Sequence, residues 1–92
     1  MPTSRAVVPT EHASRYLQQL CKHWVHKFDV QFTPQEGRIA LPLGQALLAA
    51  DDAALTIDLD VPKAEDAGRM KEVVQSHVER FAFRETLQFD WS

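Results

Sequence analysis

The stretch Leu55-Thr56-Ile57-Asp58-Leu59-Asp60-Val61-Pro62-Lys63-Ala64-Glu65-Asp66-Ala67-Gly68-Arg69-Met70 changes its period halfway, and that change decides the fold. Up to Val61, apolar and polar residues alternate without a fault, the mark of a strand with one buried face. Beyond Pro62 the apolar residues fall at steps of three and four: Ala67, Met70, Val74, Val78 and Phe81. Pro62 suits the first turn of a helix, where its missing N–H costs little. Glu65 and Asp66 sit in that turn, and Glu65–Arg69 is a favourable i,i+4 pair. Each element has one apolar face to bury, so strand and helix belong to two packed layers.

Working outward, residues 11–26 also carry a helical period. Ala13, Leu17, Leu20, Cys21, Trp24 and Phe28 form the apolar stripe. Thr10 is the expected N-cap, its hydroxyl accepting from a free backbone N–H. Before it, Arg5-Ala6-Val7-Val8 is β-prone and ends at Pro9. After it, Phe28–Phe32 alternates, and Pro34-Gln35-Glu36-Gly37 turns the chain. Ile39, Leu41 and Leu43 alternate with Arg38, Ala40 and Pro42. Pro42 cannot donate to a ladder, so an edge strand or a bulge is expected there. Gln45–Ala50 is a weaker strand, Asp51-Asp52 a turn, and Leu87-Gln88-Phe89-Asp90-Trp91 a last strand. The predicted order is β-α-β-β-β-β-α-β. This is a two-layer α+β fold with a mostly antiparallel sheet and two helices on one face. Short links between the central strands favour a meander. The order resembles one repeat of the TATA-binding-protein fold and the helix-grip fold; a ferredoxin-like sheet is the alternative. Fold likeness of this kind carries no function.

Ninety-two residues suffice for one domain, 1–92, with a single modest core. The single cysteine, Cys21, leaves no internal disulfide and points to a reducing compartment. The N-terminal residues lack a signal-peptide run, and no stretch approaches the ~18 apolar residues of a membrane helix. A cytoplasmic protein without membrane contact is expected. The formal charge is −3, divided into about +2 over residues 1–38 and −5 over residues 39–92. An acidic total argues against a nucleic-acid partner, which needs clustered Lys and Arg to displace counterions.

Candidate functional residues fall in four groups. Lys22, His23, His26 and Lys27 crowd the end of the first helix. His23 and His26 are three apart, so both imidazoles can reach one anion or one metal. No metal is assigned, because further ligands are lacking: His12 is three turns away, and Cys21 points about 200° from His23, into the core. The same residues also read as a solvated cationic face. His77 lies on the apolar side of the second helix, either as a hydrogen-bonded boundary residue or at the mouth of a cavity as acid, base or ligand contact. Asp29, Asp58, Asp60 and Asp90 take out-facing strand positions. They would repel if adjacent, unless strand order separates them. Finally, Arg80 and Arg84 bracket Phe81 and Phe83, either snorkelling over the rings or meeting a carboxylate. There is no Gly-rich phosphate loop, no GxSxG elbow and no HExxH.

The strings Leu20-Cys21-Lys22-His23-Trp24 with His26-Lys27-Phe28, and Glu79-Arg80-Phe81-Ala82-Phe83-Arg84-Glu85 with Phe89-Asp90-Trp91, resemble a small bacterial family of unknown function. Ala13-Ser14-Arg15-Tyr16-Leu17 fits it too. Its members occur alone or fused to siderophore-interacting, flavin-dependent ferric reductases. The resemblance implies a link to iron or siderophore handling and supplies no catalytic residues. The leading expectation is a non-enzymatic accessory or binding domain without a cofactor. Lys22, His23, His26, Lys27, Arg80 and Arg84 would contact an anionic small molecule or an acidic protein surface. The alternative is a small acid–base or metal-assisted enzyme using His23, His26 or His77, with a pocket lined by Trp24, Phe81 and Trp91. A homodimer through the sheet edge formed by 87–91 is a third reading.

Overall fold

The alternation around Ile57 builds an interior strand of the sheet. In the computed structural model, which describes residues 3–91, β5 (Ala54–Asp60) buries Leu55, Ile57 and Leu59 on one face. It lies between β1 (Thr3–Pro9) and β4 (Gly44–Ala50). Beyond β4 come β3 (Glu36–Leu41) and β2 (Asp29–Phe32), giving the order β1-β5-β4-β3-β2. Every neighbouring pair is antiparallel. A ferredoxin-like sheet takes up a strand after the second helix; here four consecutive strands follow one another across the sheet and no strand follows the second helix among the described residues, so that alternative is excluded. β2 to β5 form the expected meander. Helices α1 (Ala13–Trp24) and α2 (Ala67–Phe81) supply the second layer. Leu17, Leu20, Met70, Val74 and Val78 meet Ile39, Leu48, Ile57 and Leu59 in one core cluster.

The opposite sheet face carries no helix, and its register settles the aspartate question. One cross-strand row reads Arg5–Asp58–Leu47–Arg38–Gln31, the next Thr3–Asp60–Gln45–Ala40–Asp29. Asp29 and Asp60 are thus separated by two strands. The Arg5 guanidinium holds Asp58 through two bonds, of 2.6 and 3.2 Å. Asp90 lies outside the sheet.

The structure differs from the sequence expectation at the ends of elements. α1 begins at Ala13, not at residue 11; the Thr10 hydroxyl accepts from the His12 N–H at 3.0 Å, two residues ahead of the cap position at His12. It ends at Trp24, whose carbonyl accepts from both Lys27 and Phe28. Pro42 falls in neither an edge strand nor a bulge. With Leu43 it forms the two-residue turn between Leu41 and Gly44, where its fixed φ and missing N–H cost no ladder bond. The β2–β3 turn closes between Thr33 and Glu36, so Glu36 and Gly37 belong to a strand. After Pro62 comes a 3₁₀ turn, Ala64–Asp66, before α2 begins. Glu65 therefore precedes the helix and forms no ion pair with Arg69 among the described residues.

The predicted strand 87–91 joins no ladder among the described residues, so the final β of the predicted order is corrected. Its alternation is nevertheless physical. Leu87, Phe89 and Trp91 pack on the core cluster, and the Trp91 indole N–H donates to Gln75 of α2 at 2.9 Å. The segment is extended with one buried face, but it lies against a helix rather than a strand.

Two glycines give opposite predictions. A Cβ on Gly44 would lie 2.2 Å from the Asp60 carbonyl oxygen and 3.0 Å from Val61 Cα. Backbone must move to admit it, so Gly44→Ala is expected to cost about 1–3 kcal/mol. A Cβ on Gly68, in the first turn of α2, meets nothing within 4 Å. Gly68→Ala is expected to stabilise by about 0.5–1 kcal/mol through helix propensity and a less disordered unfolded chain. Urea unfolding midpoints of the two variants, moving in opposite directions, check both.

Candidate functional site

The polar side of α1 faces α2 and the segment after it across a seam. At one end, Thr10, Glu11, His12, Arg15, Tyr16 and Gln19 form one wall of a groove of about 730 Å³; Phe81, Phe83, Arg84 and Glu85 form the other. The spacing 12, 15, 16, 19 is one helix face, which is why these side chains line up. One turn further along α1, His23 continues the seam. Its ring lies 5.4 Å from that of His77 and 5.9 Å from that of Phe81, which is shared with the groove.

The groove is organised by a carboxylate. Glu85 accepts from the Tyr16 phenol and, at 3.2 Å, from the Thr10 hydroxyl. The Tyr16 ring is buried while its hydroxyl reaches the groove. Burial, with the Glu85 bond and charge behind it, pushes the phenol up to about 12. His12 meets the Tyr16 ring edge-on at 6.2 Å. Arg84 lies over the Phe83 ring at 5.4 Å, and Phe83 is 79% exposed.

At the other end, His77 is half-buried. Its Nδ1 donates to the Val73 carbonyl at 2.7 Å, since a carbonyl only accepts. His77 also stands 4.9 Å from the Trp24 ring. His23 titrates below its ordinary value. Burial is the largest cause, followed by the charges of His77, Lys27 and Arg80.

The predicted site residues therefore divide. His23, Lys27 and Arg80 come together with His77. Arg84 lines the groove. All six are exposed, but Lys22 and His26 join neither group, and His26, in the turn after α1, has no ring contact or hydrogen bond among the described residues. The imidazole paired with His23 is His77 of the other helix, not His26. Neither Trp24 nor Trp91 lines the groove. Among the described residues no three of His, Cys, Asp and Glu are grouped to hold a metal ion. Cys21 is buried, and burial pushes its thiol up to about 11. A second hollow, of about 540 Å³, lies on the uncovered sheet face beside Arg38, Leu47 and Asp58. Sequence reasoning missed Thr10, Arg15, Tyr16 and Glu85 as one site. Tyr16 and Glu85 are 69 residues apart, and no local spacing links them.

These elements define a β-α-β₄-α domain with a seam between its helices, and no helix long and apolar enough to cross a membrane among the described residues. The chain belongs to the family described as "Uncharacterized protein conserved in bacteria (DUF2218)", which matches residues 5–92. It is similar to PA4090 from Pseudomonas aeruginosa, whose NMR structure superposes with a TM-score of 0.83 at 37% identity. That match covers 100% of this chain and 96% of PA4090. No curated protein matches.

Tyr16→Phe removes a donor from a partly buried carboxylate and is expected to cost about 1–2 kcal/mol in urea unfolding at pH 7. The phenol's folded-state pKa is raised. Its contribution is therefore complete below about pH 10 and is lost as pH rises towards 12. Tyr16 is the chain's only tyrosine. A spectrophotometric titration showing ionisation near 10 would contradict the Glu85 bond.

Proposed function

We propose that this is a non-enzymatic binding domain that takes an anionic small molecule along the seam between its helices. One observation supports the reading most directly: cations from sequence-distant elements converge on His23. Lys27 follows α1 and Arg80 comes from α2; after burial, and beside the His77 ring, they disfavour a further positive charge there. An anion seated among them relieves that repulsion and gains charge-assisted hydrogen bonds. The family resemblance adds ferric siderophores, many of them anionic, as ligands to try, and the fused reductases as a context.

The pH dependence has a definite sign. His23 is held below its ordinary value near 6.5, so its imidazolium fills only as pH falls below that. A bound anion favours the charged form. Affinity should therefore rise as pH falls through this range. NMR-detected titrations with sulfate, whose charge is constant there, and with a ferric siderophore, at pH 7.5 and 5.5, test it. Binding should tighten at pH 5.5. His23→Ala should abolish the difference, and Arg80→Ala should weaken binding at both values. Absence of binding, or equal affinities in both variants, would remove the proposal.

A further inference from the structure

We propose that the wide end of the seam binds an organic acid carrying a flat aromatic ring, the ring stacked on Phe83 and the acid group held between Arg15 and Arg84. This rests on the anion reading above and narrows its ligand class. Three observations carry it.

First, Phe83 is the most exposed large apolar side chain among the described residues, and it stands in the wall of a groove. A lone exposed phenylalanine is ordinary. One in a hollow of about 730 Å³, within the range of small-molecule sites, is placed to be covered. Second, Arg84 lies over that ring at 5.4 Å, and Phe83 is still 79% exposed. A planar ligand stacking there extends an aromatic wall that already includes Phe81, Tyr16 and His12. Third, neither Arg15 nor Arg84 forms an ion pair among the described residues. Glu85, beside them, is engaged by the hydroxyls of Tyr16 and Thr10. Glu11 is the other carboxylate in the groove wall. Two guanidiniums thus remain for a carboxylate, which their fork geometry suits.

The test compares benzoate, cyclohexanecarboxylate and sulfate as probes, by NMR titration of the full chain and its Phe83→Ala and Arg15→Gln variants. Both residues are exposed, so both substitutions leave the fold intact, checked by circular dichroism. Benzoate should bind about tenfold more tightly than cyclohexanecarboxylate, as expected for one stacking contact. Phe83→Ala should erase that preference while leaving sulfate unchanged. Arg15→Gln should weaken benzoate and cyclohexanecarboxylate alike. Equal binding of the two acids, or an unchanged preference in Phe83→Ala, overturns the aromatic class while sulfate binding leaves the anion reading standing. Failure of all three probes to bind overturns both.

Discussion

Burial of one face of α1 is the interaction on which the rest depends. Ala13, Tyr16, Leu17, Leu20, Cys21 and Trp24 form that face, and each is nearly or wholly inaccessible. Full burial of a side chain such as Leu17 or Leu20 contributes about 1.5–3 kcal/mol. A twelve-residue helix is marginal alone, so it is this face, rather than propensity, that holds it. Trp24 closes the far end by packing edge-on against Phe28 and close to His77. Tyr16 couples the buried face to the polar one. Its ring belongs to the core, and its hydroxyl fixes Glu85, which tethers the segment after α2 to α1. The groove therefore depends on the same helix as the fold, and its two walls cannot be loosened independently.

Periodicity made most of this architecture legible. The helical stripes located both helices because an amphipathic face is a local property of the chain. The alternation of Ala54–Asp60 located a strand for the same reason. Errors arose where one local signal serves two structures. Pro42 cannot sit in a ladder, and that constraint is met equally by an edge strand, a bulge or a turn. Alternation over 87–91 reports an extended segment with one buried face, and a helix can cover that face as well as a strand can. The aspartates show a complementary limit: their out-facing positions were readable, but the row Thr3–Asp60–Gln45–Ala40–Asp29 needed the strand order.

The seam was legible only in part. His23, Lys27 and Arg80 stood out as cations, yet the spacing of His23 and His26 suggested a pair along one helix. The helix ends at Trp24, and His26 passes into the turn. His77, a boundary residue by pattern, comes to His23 because α2 crosses near it. No periodicity encodes a contact between two side chains more than fifty residues apart on different helices. Glu85 was invisible for the same reason.

Charge placement separates the two sides of the domain. On the uncovered sheet face, Arg5 and Arg38 are outnumbered by Asp58, Asp60, Asp29 and Glu36, so the field there is negative. In the seam, Arg15 and Arg84 share the groove walls with Glu11 and a Glu85 already engaged by two hydroxyls, while Lys27 and Arg80 lie near His23. At physiological ionic strength a charge is felt over about 8 Å, so a ligand in the seam responds to these neighbours and little to the distant aspartates. A net charge of −3 is therefore compatible with a locally positive site. The depressed basicity of His23 is the internal sign of that field, because burial and the surrounding cations oppose its protonation together. The cations that help lower the basicity of His23 attract an anion through the same Coulomb interaction that repels the imidazolium.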